Sequence, residues 1–330
     1  MSNLFLNRLT ALLVLSLLFL TVALRHSDAV GDTVRSIHGS IPAYFKQPDA
    51  TAVVTPTAEP PQSRERTLDI VVSMYRENST LVADNIRELL ALRPIQALSP
   101  RIMIYLKDED ADPSAISALK ATLNAHTVDK LSNKGREGGT YLSHILLRWD
   151  SLATHTLFLQ ADIHWWDDVK ARITDYFVPS TGVLSLGRTL NVCSCTACSD
   201  FWDASRTFPR LPQLWSAINA ELCPGGGILM GYGGQMIVSR KRILATDRRV
   251  YRHLLEVLEG GRGHWIHDDP RQEWFGDSVD EPYFGHTLER AWMTVFGCWD
   301  TRLAETCPRI GDRRELADGD ERCQCLDPDA

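Results

Sequence analysis

From Thr67 onward, short apolar runs alternate with stretches of helical period, and this alternation restricts the fold more than any other feature of the sequence. LDIVVSM (68–74) is a continuous apolar run ahead of a polar turn, the pattern of a strand covered on both faces. Leu81, Ile86, Leu89 and Leu90 then recur at helical spacing, and RIMIYL (101–106) reads as a second strand. PSAISALKATLNA (113–125) reads as a helix with Pro113 in its first turn, and TYLSHILLRWDSLA (140–153) as another. TLFLQAD (156–162), GVLSLG (182–187) and QMIVSR (235–240) add strands. The pattern predicts one α/β domain over residues 67–300, with a mostly parallel central sheet flanked by helices. No internal repeat is visible.

The segments around that domain are of another kind. LTALLVLSLLFLTVAL (9–24) carries no charge and lies between Arg8 and Arg25. As a helix it would be about 24 Å long, short of the roughly 20 residues a comfortable span needs. Residues 1–26 therefore read as a signal anchor meeting a membrane through 9–24, or as a signal peptide cleaved near Ser27-Asp28-Ala29. Arg8 before the run and Arg25 and Arg35 after it leave the positive-inside rule without a preference. Residues 27–66 hold five prolines (42, 48, 56, 60 and 61) and few large apolar side chains, so they predict a disordered linker. Residues 301–330 read as a cysteine-containing tail.

A net charge of −7 gives no general attraction to nucleic acid, so such binding would need a local patch. The eight cysteines include CSCTAC (193–198) and CQC (323–325). Their even number suits disulfides in an oxidising compartment; in a reducing one, CxCxxC could ligate zinc, although its spacing is not the usual paired CxxC. Asn78-Ser79-Thr80 is a glycosylation sequon, informative only in a lumenal protein.

In parallel sheets ligands bind beyond the carboxyl ends of the strands. That rule singles out Met74 to Asn78 (with Tyr75), Lys107-Asp108 and Gln160-Ala161-Asp162. NKGREGGT (133–140) opens a helix, where backbone amides and Arg136 favour an anion such as phosphate; a flexible loop capped by Thr140 is the plainer alternative. In nucleotide-sugar transferases of the GT-A fold, an Asp-x-Asp at the end of the strand holds a metal and a diphosphate. Here Gln160 replaces the first acid, leaving Asp162 as a metal ligand or a structural hydrogen-bonding group. GYGGQMIVSR (231–240) resembles the acceptor-side glycine segment of those enzymes, where glycine admits close backbone approach; a tight turn or bulge is the plainer alternative.

Six basic residues lie between Arg240 and Arg252. On a single helix, Lys241, Arg248 and Arg252 would share one face, a footprint for a phosphate backbone or simply a solvated face. Residues 264–292 then gather seven acids and three histidines. Asp268, Asp269 and Glu273 stand in HDDPRQE between Trp265 and Trp274, while Glu289 falls on a helix whose apolar side carries Leu288 and Trp292. Such acids suit a divalent metal, acid–base chemistry or bidentate pairing with a guanidinium. His264 and His267 are candidate metal ligands or structural histidines.

Taken in order, VVSMYREN, SNKGREGGTYLSHI, GYGGQMIVSR, HDDPRQE and PYFGHTLERAW resemble a mainly fungal family that includes arginine-containing cyclodipeptide synthases. The resemblance covers roughly residues 68–300. It implies condensation of arginyl-tRNA with a second aminoacyl-tRNA to a cyclo-(Arg-Xaa) diketopiperazine in secondary metabolism, without cofactor. The family's acidic motif is of DDxxE type; the nearest match here, Asp268 to Glu273, is one residue longer. On this reading Asp268, Asp269, Glu273 and Glu289 are catalytic or receive the arginyl group. Tyr75, Arg136, Glu137, Asp162, Lys241, Arg248 and Arg252 bind substrate, and the domain faces the cytosol. The alternative is a membrane-anchored, lumenal GT-A-like glycosyltransferase, for which a divalent metal becomes a candidate cofactor.

Overall fold

Leu68, Ile70, Val71 and Val72 are buried because β1 (Thr67–Met74) runs through a seven-stranded sheet with helices on both faces. The computed structural model describes residues 67–268, 276–307 and 323–327. All lie in the second of the two units into which the chain divides, 1–61 and 62–330. The apolar run 9–24 and the 27–66 linker fall outside the described residues. Among the described residues, no helix is long and apolar enough to cross a membrane.

α1 (Ser79–Leu90) follows β1 and is capped by the Asn78 side chain. β2 (Ser99–Leu106), α2 (Pro113–Thr122), β3 (Thr127–Lys130), α3 (Arg136–Leu147), β4 (His155–Gln160), α4 (Trp166–Tyr176) and β5 (Thr181–Ser185) complete the alternating portion. An excursion carries the short antiparallel pair β6 (Asn191–Cys193) and β7 (Ile228–Met230), with α5 (Leu211–Asn219) between them. The chain returns through β8 (Met236–Ser239), α6 (Arg240–Ala245), α7 (Arg248–Leu258), α8 (Tyr283–Val295) and β9 (Gln324–Leu326).

The sheet order is β3-β2-β1-β4-β8-β5-β9. β1 to β4 pair in parallel, whereas β8 lies antiparallel between β4 and β5, and β9 is antiparallel to β5. Alternation along β1 sends Val72 under Val82 and Ile86 of α1, while the Ser73 hydroxyl meets that of Thr140 in α3 at 2.8 Å. α3, α7 and α8 therefore cover the face opposite α1. The predicted α/β architecture with a mostly parallel sheet is observed.

Three local readings change. α3 begins at Arg136 rather than Thr140, so Gly138 and Gly139 are helical. A Cβ on Gly138 would stand 3.1 Å from Leu258 and 3.3 Å from Leu288, so glycine there admits α7 and α8 close to α3. The C-terminal segment is not merely a tail, since β9 adds the outermost strand. Cys298–Cys325 and Cys307–Cys323 tie it down, and Cys193–Cys198 and Cys195–Cys223 staple the excursion. All eight cysteines are thus paired.

The third change concerns the basic run, which is two helices. Thr246 is extended and Asp247 caps α7, accepting the Arg249 N–H at 2.8 Å. Lys241 therefore sits on α6, and its supposed common face with Arg248 and Arg252 does not exist.

Candidate active site

Because β8 runs against β4, its amino end meets the carboxyl end of β4: Met236 pairs with Phe158. The glycine turn before β8 consequently lies beside Gln160, whose amide donates to the Gly233 carbonyl at 3.2 Å. Gly233 and Gly234 have φ of 87° and 59°, the left-handed region that glycine tolerates. A Cβ on Gly234 would lie 3.3 Å from the Glu137 carboxylate, and the Gly233 N–H donates to Glu289 at 2.7 Å. One turn thus receives carboxylates from α3 and α8.

Arg136 links them. Its guanidinium stands 3.3 Å from Glu137, 3.6 Å from Glu281, and 2.9 and 2.8 Å from the two ring nitrogens of His286. Arg136 itself has φ of 50° directly after Gly135 at 65°, a strained entry into α3. The loop is braced by the buried Lys107 ammonium, which donates to the Lys134 and Arg136 carbonyls. Burial pushes that ammonium down to about 8, against the pull of Glu259 and Glu137.

Glu289 is largely buried. Burial alone would raise its carboxyl, but the His286 hydrogen bond, Arg290, the Gly233 N–H and Arg136 outweigh it and bring the group down to about 2. Arg290 lies 3.4 Å from Glu289 and forms a buried pair with Asp200 at 2.6 Å, its guanidinium against the rings of Phe208 and Tyr232. Asp200 belongs to the disulfide-stapled excursion, so that excursion is fastened to the helix bearing Glu289.

Aromatic faces flank the turn. Trp165 is 39% exposed, holds a left-handed backbone (φ 54°) and reaches to 3.6 Å of a Cβ built on Gly233. The exposed Arg188 guanidinium lies over its ring. Trp202, 52% exposed, packs edge-on against Tyr232, the residue before Gly233.

Arg136 and Glu137, neighbours in sequence, therefore meet the distant Glu289 at one turn. Tyr75 and Asp162 lie exposed on the same rim. Asp268 is exposed at the end of the turn Trp265–His267, and Asp269 and Glu273 lie outside the described residues. His264 caps that turn; His267 faces the Asp277 carboxylate at 2.7 Å and the Gly260 carbonyl at 2.9 Å. Both histidines are thus in structural use. Lys241, Arg248 and Arg252 lie toward the opposite end of the sheet. Arg248 donates to the Leu146 carbonyl and covers Trp149, while Lys241 and Arg252 are exposed.

Sequence reading passed over His286, Arg290 and Asp200. His286 and Glu289 stand at i, i+3 on one helix, a visible signal, whereas nothing in the spacing joins residue 200 to residue 290. An open hollow of about 750 Å³ at the other end of the sheet is lined by Thr154, His155, Arg240 and Lys241. Its acid, Asp327, is already held by Arg242 at 3.1 Å, so the converging groups at the rim make the better site.

No family model matches the chain, and no curated protein matches it either. Among solved structures, a mannosyltransferase from Pyrobaculum calidifontis in complex with GDP-mannose and Mn2+ is similar at 15% identity and a TM-score of 0.29. The match covers 63% of this chain and 50% of that one, so the chain spans half the length of that structure.

Proposed function

We propose that the domain is a glycosyltransferase of an oxidising, secretory compartment, with its donor and acceptor sugars at the Gly233–Gly234 rim. The observation that carries this reading is the combination at one turn: two carboxylates and an amide beside the exposed faces of Trp165 and Trp202. Sugars present hydroxyls that donate to carboxylates, and C–H faces that pack on aromatic rings. Four disulfides suit a lumenal enzyme and do not suit a cytosolic one that consumes aminoacyl-tRNA.

With its carboxyl held near 2, Glu289 stays charged at neutral pH and is a poor proton acceptor. Its role is a fixed negative charge facing the positive charge that develops on a sugar ring during transfer. Glu137 accepts from sugar hydroxyls. Arg188, exposed above Trp165, is placed to meet a donor diphosphate, and its fork suits bidentate contact. The described residues hold no group of three ligating side chains, but Asp162, exposed at the rim, would hold a divalent metal together with a donor diphosphate, where the ion would supply charge neutralisation on the leaving group.

The test is release of free nucleoside diphosphate from a panel of nucleotide sugars by the disulfide-intact protein. Turnover with one donor, lost in Glu289→Gln, is expected. No release from any donor, together with arginine diketopiperazines formed from charged tRNA, would overturn the reading.

A further inference from the structure

We propose that Asn78 carries an N-linked glycan, an inference that rests on the secretory part of the function proposed above. Asn78-Ser79-Thr80 is the one Asn-Xaa-Ser/Thr triplet in the sequence. Asn78 is exposed in the loop after β1, and its neighbours Tyr75 and Arg76 are exposed as well. Its side chain caps α1 through oxygen alone: Oδ1 accepts from the N–H groups of Thr80 at 2.9 Å and Leu81 at 3.4 Å. With the carboxamide oxygen turned to the helix, the nitrogen points away from it. N-glycosylation uses that nitrogen, so cap and glycan coexist on one side chain.

The chemistry balances with a lipid-pyrophosphate-linked oligosaccharide as co-substrate. Asn78 Nδ2 forms a bond to the anomeric carbon, the carbon–oxygen bond to pyrophosphate breaks, the lipid pyrophosphate leaves and the amide loses one proton.

The location leaves the candidate site open. α1 covers the Val72 face of the sheet, whereas Glu137 belongs to α3 on the Ser73 face and Glu289 to α8, which packs with α3. A glycan at Asn78 therefore stands at the rim but across the sheet from the carboxylates.

The full chain, produced through a eukaryotic secretory pathway, would be weighed intact before and after peptide-N-glycosidase treatment, with unreduced thiols alkylated in parallel. One oligosaccharide should be lost and Asn78 converted to aspartate. Thr80→Ala should abolish the glycan without unfolding α1, because the cap uses only the backbone N–H of residue 80. No mass shift in a protein without alkylatable thiols would overturn the glycan while leaving the compartment standing. No mass shift with eight reactive thiols would overturn both.

Discussion

Both ends of the central sheet carry arginines beside acids, yet they spend them differently. At the amino end of β4, each partner serves to fasten the fold. Arg242 binds Asp327 and the carbonyls of Gly297 and Leu326, Arg248 covers Trp149, and Arg249 pairs with the cap of its own helix. At the carboxyl end, groups from α3, α8 and the β7–β8 turn converge, and Arg136 alone faces Glu137, Glu281 and His286. The difference teaches that charge density along a chain is a poor guide to a site. Convergence of charges from separate elements onto a glycine turn is a better one, because a close backbone approach is useful only where something must be contacted.

That contrast can be broken most sharply by kinetics. Glu289→Gln should lower donor turnover by about 10²-fold or more, the scale of removing one preorganised electrostatic group. The double variant Lys241→Ala, Arg252→Ala should turn over as the parent does. Equal losses from both would erase the distinction between the ends, and a fully active Glu289→Gln would remove the site.

Stability offers a second comparison. Asp200→Ala takes from the buried Arg290 guanidinium its 2.6 Å partner and leaves it Glu289 at 3.4 Å, which should cost about 3 kcal/mol and lower the melting temperature by on the order of 10 °C. Arg249→Ala breaks an ion pair that is 82% and 47% exposed and should leave the melting temperature almost unchanged. Should the two shifts be alike, the Asp200–Arg290 pair is not the fastening it is taken for.

Acid titration sharpens the comparison least. The folded-state pKa of Glu289, about 2, lies below its ordinary value of 4.5. Its stabilisation is accordingly complete above about pH 4.5 and is lost as pH falls toward 2. The stability gap between the parent and Glu289→Gln should therefore narrow across that window. Parallel curves would show that the carboxylate is not held ionised by its neighbours.

Much of the fold is legible in local pattern. β1, β2, β4 and the helix bearing Glu289 announce themselves through apolar runs and helical period. The break between α6 and α7 was legible too, in the Thr246-Asp247 cap, but a run of basic residues obscures it. α3 is misread at its start because Gly138 and Gly139 look like a loop, and only the packing of Leu258 and Leu288 explains them. β9 is three residues long, and its pairing with β5 and its disulfides to Cys298 and Cys307 are tertiary contacts that no local pattern announces.

By itself, then, the sequence determined the alternation of strands and helices and the presence of acids, glycines and arginines in separate motifs. Which of those motifs meet was decided by the antiparallel entry of β8 between β4 and β5. That entry carries residue 233 to residue 160 and leaves Lys241 at the far end. Secondary structure reflects interactions within a few residues, whereas a site assembled from residues 136, 160, 233 and 289 exists only once strand order has closed the distances between them.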